Sequence, residues 1–336
     1  MSARGPGRVN LIGEHTDYNG GLALPFAIER GVTVTAAPVA GDEVVAHALD
    51  AGEHDAFPLA RPGRAEGWRA FVHGTVAELQ AAGHSLRPVE LTIEGDVPEG
   101  SGLSSSAALE TALCLALLAA AGEPEPDRRG LARLCSRVEN EWVGARTGLL
   151  DQLASLLGRE GHALRIDFAS GDVEAVPLEL GDWRLVAVDS GASHEHASGG
   201  YNERRAECAR ACELLGIETL RDAPEDPDLP APLLRRARHV SSENRRVEEM
   251  VQALQAGDLE SAGRLLDRSH ASLRDDYEAS VPEVEATVER LKAAGAAGAR
   301  MVGGGFGGHV LALLPPDAEP PAGALEVRPG PAARLL

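Results

Sequence analysis

Val89-Glu90-Leu91-Thr92-Ile93-Glu94 is followed by Pro98-Glu99-Gly100-Ser101-Gly102-Leu103-Ser104-Ser105-Ser106-Ala107-Ala108 and then by an Ala- and Leu-rich run to Ala120. The order strand, turn, helix sets the architecture expected of the chain. Val89, Leu91 and Ile93 alternate with Glu90, Thr92 and Glu94, the two-residue period of a half-buried strand. The run from Ser104 to Ala120 has the length and composition of a helix, and the glycines and serines between the two predict a tight turn. Glycines let the backbone point several N–H groups inward, and the next helix adds the positive end of its dipole. Together they make an anion nest that needs no lysine. An ordinary N-cap by Ser104 would require only one serine and one glycine, so two glycines and three successive serines favour the nest.

The basic residues point the same way. Lys292 is the single lysine, so 31 of the 32 basic residues are arginine. A Walker A loop needs Gly-Lys followed by Ser or Thr, and a protein kinase needs a lysine in a Val-Ala-Ile-Lys strand. Lys292, in Glu289-Arg290-Leu291-Lys292-Ala293, fits neither. If the chain handles a nucleotide, backbone amides and arginine must hold its phosphates.

Outward from this stretch, 336 residues suggest about two domains at roughly 150 residues each. Hydrophobic types at 43% and charged types at 25% allow a sizeable core and argue against disorder. The formal charge of -20 repels phosphate polymers and anionic lipid surfaces, which makes nucleic acid and membrane poor partners. Cys114, Cys135, Cys208 and Cys212 show no CxxC spacing and read as buried filler. The longest apolar run, Ala112 to Ala120, is about half a membrane span, and Met1 to Pro6 lacks the apolar core of a signal peptide. A soluble, cytoplasmic chain with reduced thiols is expected, acting as a monomer.

The element order predicts an α+β protein. Val32 and Val34 alternate with Thr33 and Thr35, and a Gly41-Asp42 turn leads to Val44-Val45-Ala46, a pattern that reads as a hairpin. Helices are expected over Arg128–Val143, Glu203–Leu215, Leu234–Ala256, Leu259–Ser272 and Pro282–Ala293, and strands over Ala163–Phe168, Leu185–Asp189 and Val310–Leu314. Pro224, Pro227, Pro230 and Pro232 mark a loop between helices of similar character, not a domain boundary.

Two further stretches carry polar or glycine-rich chemistry. In Gly7-Arg8-Val9-Asn10-Leu11-Ile12-Gly13-Glu14-His15-Thr16-Asp17-Tyr18-Asn19-Gly20-Gly21, a short strand delivers Glu14, His15 and Asp17 into a glycine-bounded turn near Arg8. Such crowding suits a polyhydroxylated ligand, whose hydroxyls each need a donor and an acceptor; a turn with solvated charges fits the spacing equally well. Gly303-Gly304-Gly305-Phe306-Gly307-Gly308 matches GxGxxG, but strand-like Val310–Leu314 follows and 28 residues remain, too few for a dinucleotide βαβ unit. A glycine turn that brings backbone close to a ligand or another loop is the better reading. Between these lie Glu139 and Thr147-Gly148-Leu149-Leu150-Asp151-Gln152, whose acids on spacing alone read as a solvated helix face.

The three stretches occur in the order of the three motifs of the GHMP small-molecule kinases, and the first resembles the galactokinase signature. Gly148 to Gln152, Asp189-Ser190-Gly191 with His194, Tyr201 to Arg205, Arg236 to His239 with Glu243-Asn244, and Ser269-His270 with Leu273-Arg274 are also similar to galactokinases. The resemblance runs from about Gly5 to the C-terminus. It implies a two-domain GHMP kinase fold, with domains at 1–176 and 177–336 and the active site in the cleft between them. The implied reaction transfers the γ-phosphoryl group of MgATP to the C1 hydroxyl of α-D-galactose, the first step of galactose use by the Leloir pathway.

Residue by residue, the resemblance implies that Glu14, His15, Asp17, Gly148 and Tyr201 bind the sugar. Asp151 is implied as the catalytic base, with Arg8 beside it balancing charge at the reacting phosphoryl group. Gly100, Ser101, Gly102, Leu103, Ser104, Ser105 and Ser106 are implied to cradle ATP, and Ser106 and Glu139 to hold Mg2+. Family members usually carry a further segment before the first motif, so an edge strand or lid is expected to be missing. Thr147, His196 and His309 also depart from the family's usual residues. The same motifs would serve a 1-kinase for N-acetylgalactosamine, arabinose or galacturonate, or a galactose-sensing regulator without catalysis.

Overall fold

The structure is a computed structural model that describes residues 1–98, 102–145, 147–192 and 197–336. Strand β1 (Ser2–Asn10) is followed by the short β2 (Leu22–Ala23) and the long β3 (Pro25–Pro38), which pairs antiparallel with β1. Their register shifts between Pro6 and Arg8. The extra residues lie on β3, between Ala27 and Gly31, opposite Gly7 of β1.

Strands β4 (Glu43–Ala48) and β5 (Glu53–Pro58) form a hairpin, helix α1 (Trp68–Ala81) follows, and β6 (Val89–Gly95) leads to α2 (Ser105–Ala121). The hairpin expected between the Val32 and Val44 segments does not form. β6 lies between them, antiparallel to β3 and parallel to β4. Alternation marks each segment as a strand but says nothing of its partner, and β6 offers Val89, Leu91 and Ile93 to the same buried face as Val32, Val34 and Ala36. Helix α1 was not among the expected elements.

Helix α2 is buried on nearly every side, as its unbroken Ala and Leu composition requires. Leu113, Leu115, Leu117 and Leu118 are almost wholly buried, each worth about 1.5–3 kcal/mol by area. Helix α3 (Arg128–Arg137) is capped by Asp127, which accepts from the Gly130 N–H at 2.8 Å. The single helix expected to Val143 instead loosens into a π turn over Val138–Val143. Wide turns of this kind recur at functional sites, and this one carries Glu139. Helix α4 (Leu150–Leu157) and strands β7 (His162–Asp167) and β8 (Val173–Pro177) complete the first half.

The second half runs β9 (Arg184–Asp189), α5 (Ala197–Leu215), α6 (Ala231–Gln255), α7 (Leu259–Asp275), α8 (Pro282–Ala293), β10 (Gly298–Met301), β11 (His309–Leu314), β12 (Leu325–Glu326) and β13 (Arg334–Leu335). Among the described residues the sheets have the orders β13-β1-β3-β6-β4-β5, β10-β11-β9-β12 and β2-β7-β8. The architecture is α+β. Gly303–Gly308 turns β10 into antiparallel β11 and opens no helix. One core cluster joins the halves, packing Leu11, Phe26 and Leu103 with Leu185, Val247 and Leu311. The four cysteines are buried and free of disulfides. Among the described residues no helix is long and apolar enough to cross a membrane.

Candidate active site

Arg8, buried on β1, meets Asp151 on the first turn of α4. Arg8 Nε and Nη2 donate to Asp151 Oδ1 and Oδ2 at 2.7 and 2.8 Å, and Nη1 donates to the Gly102 carbonyl. The Arg8 N–H donates to the Leu103 carbonyl at 3.0 Å, which ties β1 to the loop before α2. Burial opposes the charge on Arg8, but Asp151, Glu14 and Glu139 outweigh it and hold the guanidinium above its usual range.

Ser104 adopts a left-handed backbone, φ 59°, and makes no capping bond to α2; its hydroxyl donates to Asp151 instead. The N-cap reading of Ser104 is thereby replaced by a contact to the site. Among the described residues the non-glycine positions at positive φ are His15, Ser104, Glu278 and Phe306. Three of these four fall in the three motifs, one in each. Backbone strain held this way persists where surrounding contacts over-determine it, and it clusters at functional sites.

Glu14 joins the first motif to the third. Its Oε1 accepts from the Gly303 N–H at 2.8 Å and lies 3.1 Å from the buried Arg300, while Oε2 accepts from Asn10 at 2.9 Å. His15 stacks on Tyr277 with centroids 4.4 Å apart and pairs through Nδ1 with the Tyr18 hydroxyl at 2.9 Å. Its Nε2 is buried with no partner among the described residues. Burial, reinforced by His239, Arg300 and Arg204, pushes the His15 imidazole well below its ordinary range, so it is neutral.

Asp17 is half-buried, and burial with the nearby Asp151 and Glu14 charges raises its carboxyl to about 7. Gly148 passes so close that a Cβ there would sit 1.8 Å from Asp17 Oδ2. Tyr201, on α5, has its ring 5.4 Å from that of His15 and against Gly304.

Glu139 is buried near Asp151. Its Oε1 accepts from Ser106 Oγ at 3.1 Å, and its Oε2 from Thr147 Oγ1 at 2.6 Å and Gln152 Nε2 at 2.8 Å. Burial and the Asp151 charge raise its carboxyl. Gln152 also donates to the wholly buried Glu110 at 3.2 Å, whose carboxyl burial holds well above its usual range.

One cavity of about 340 Å³ collects these groups. Arg8, Glu14, His15, Asp17, Gly102, Gly148, Asp151 and Tyr201 all line it, and Val302 to Gly305 close it from the second half. Ser104, Ser105 and Ser106 lie at the start of α2 beside Asp151 and Glu139, while the Leu103 side chain turns into the core. Gly100, Ser101, His194 and His196 lie outside the described residues. Tyr18, Glu110, Tyr277 and Arg300 belong to the site's framework without having been singled out. Tyr18 stood inside a quoted motif and Glu110 in the expected α2 helix, while Tyr277 and Arg300 reach the site from distant elements and carry no spacing signal.

Three family models and several known proteins match the chain. Residues 1–38 match the galactokinase galactose-binding signature, residues 70–159 the GHMP kinases N terminal domain, and residues 250–328 the GHMP kinases C terminal model. The chain is 46% identical over 327 residues to a galactokinase of Mycobacterium bovis strain BCG, covering 94% of this chain and 90% of that protein. It is 43% identical to a galactokinase of Roseiflexus sp., covering 93% and 82%. The crystal structure of Lactococcus lactis galactokinase complexed with galactose superposes with a TM-score of 0.92 at 33% identity, covering 100% of this chain and 95% of that one.

Proposed function

Because the chain belongs to the galactokinases of the GHMP kinase family, we propose that its cavity transfers the γ-phosphoryl group of ATP to the C1 hydroxyl of α-D-galactose, giving galactose 1-phosphate and ADP. The observation that carries this reading is the meeting of Asp151 with Arg8 in a cavity that the Glu14–Asp17 loop also lines. A carboxylate, hydroxyl-binding groups and Gly102 of the turn before α2 then face one space.

In this reading Glu14, His15, Asp17, Tyr201 and the Gly148 backbone hold the sugar. The unpartnered Nε2 of the neutral His15 suits a hydroxyl, to which it can donate or accept. Asp151 takes the proton from the C1 hydroxyl as that oxygen bonds to the γ-phosphorus, and the bond to the β,γ-bridging oxygen breaks to release ADP. Arg8 and Ser104 fix the Asp151 carboxylate, and Arg8 balances charge at the transferring group. Phosphoryl transfer passes through a loose transition state, so alignment carries much of the acceleration.

In this reading Gly102 to Ser106, at the start of α2, hold the ATP phosphates with the help of the α2 dipole, and Gly100 and Ser101, implied for the same role, lie outside the described residues. Ser106 Oγ and Glu139 Oε1, 3.1 Å apart, form an oxygen pair that fits Mg2+, a hard cation that takes one or two protein oxygens and completes its shell with waters and phosphates. When bound, the cation neutralises charge on the ATP phosphates. The same reading takes the chain as a monomer, with 1–176 and 177–336 as its two domains.

The test is ADP release by purified protein with MgATP and a panel of galactose, 2-deoxygalactose, N-acetylgalactosamine, arabinose, galacturonate and glucose. A galactose-dependent signal abolished by EDTA is expected. Turnover confined to another sugar would replace galactose as substrate, and galactose binding without turnover on any sugar would make the chain a sensor.

A further inference from the structure

Helix α6 contributes no side chain to the cavity wall, yet three of its side chains hold the backbone of the loop that does. His239 Nε2 lies 3.1 Å from the Glu14 carbonyl, Glu243 Oε1 accepts from the Gly13 N–H at 3.0 Å, and Asn244 Oδ1 accepts from the Leu22 N–H at 2.8 Å. Gly13 and Glu14 open the loop and Leu22 ends it, so the helix clamps both ends of the segment bearing His15 and Asp17.

The clamp is itself braced. Glu243 also accepts from Ser269 Oγ on α7 at 2.6 Å and from Arg246 Nε at 2.7 Å, and His239 Nδ1 pairs with Ser272 Oγ at 3.0 Å. Gly13 lies three residues beyond the end of β1 in a left-handed turn, φ 100°, and Glu243 supplies an acceptor for its N–H.

We propose that Asn244 and Glu243 are positioning residues for the sugar, fixing the loop so that His15 and Asp17 meet the hydroxyls although neither α6 residue touches substrate. The inference rests on the galactokinase reading above. It follows that galactose affinity is set in part by a helix of the second half. MgATP affinity is not, because Ser106 and Glu139 stand on α2 and the π turn, away from this clamp.

Asn244 is half-buried, so its truncation leaves the core intact. Calorimetric galactose titration, thermal melting with and without galactose, and steady-state kinetics on Asn244→Ala and Asn244→Asp test the proposal. Losing one acceptor at the loop is expected to raise galactose Kd and KM about tenfold, with the MgATP KM and the kcat at saturating galactose within about twofold. Asn244→Asp keeps an acceptor oxygen and returns galactose binding close to wild type. Galactose Kd unchanged in Asn244→Ala, a parallel rise in the MgATP KM, or an aspartate variant as impaired as alanine would each overturn it. Wild-type protein that neither binds nor phosphorylates galactose would overturn the underlying reading instead, a result seen before any variant is made.

Discussion

The guanidinium of Arg8 grips both carboxylate oxygens of Asp151, 143 positions away, through hydrogen bonds of 2.7 and 2.8 Å. The pair closes the contact between β1 and α4, and Ser104 joins it from the turn before α2. Removing either member strands a charge in a mostly buried setting, so truncation confuses stability with chemistry. An isosteric change keeps the packing, and thermal melting alongside kinetics separates the uncompensated Arg8 charge from the chemistry.

Asp151→Asn keeps the shape and one acceptor oxygen but cannot take the proton. Galactose and MgATP binding by calorimetry are expected to stay near wild type while kcat falls by about 10²–10⁴. Turnover near wild type would remove Asp151 from the role of base.

Gly148→Ala places a methyl group where Asp17 Oδ2 now lies, 1.8 Å from the ideal Cβ, so Asp17 or the chain at 148 must move. A displacement of about 1 Å at a substrate-holding group costs on the order of 10²-fold. The loss is expected in kcat/KM for galactose with the MgATP KM little changed, read from full kinetic matrices.

Asp17 carries a stability signature of definite sign. Its carboxyl stands at about 7 in the fold against an ordinary 3.8, so between those values the folded chain binds more protons than the unfolded one. Its contribution to stability is therefore largest below about pH 4 and is lost as pH rises through 7. Buried imidazoles titrate in the same range with opposite sign, as His239, held down to about 4 chiefly by burial, illustrates. The measurement is thus the difference in Tm between Asp17→Asn and wild type from pH 4 to 8. It is expected to grow in favour of the variant as pH rises; a flat difference would show Asp17 ionising normally.

Glu139→Gln removes the carboxylate opposite Ser106. The Mg2+ concentration for half-maximal activity is expected to rise at least about tenfold, with galactose Kd unchanged. An unaltered Mg2+ dependence would place the cation elsewhere.

Much of this was legible in the chain, because the readable signals are local. The alternation at Val89–Ile93, the glycine and serine turn and the apolar α2 run each encode backbone conformation within a few residues. The Arg128–Val143 helix was misjudged only where Val138–Val143 widens, and propensity does not distinguish an α turn from a π turn.

Residue type and short spacing were enough for the strand Val89–Gly95 and the helix Ser105–Ala121, the exclusion of lysine-based phosphate loops and, through the order of three motifs, the family. Tertiary structure alone decided that β6 separates β3 from β4, that Ser104 turns from capping α2 to Asp151, and that Glu243 and Asn244 hold the loop of Glu14 and His15 from more than 200 positions away. Each of these is a choice of partner. Partners are set by which buried surfaces fit and which buried polar groups remain to be satisfied once the chain has collapsed, and no local pattern records that.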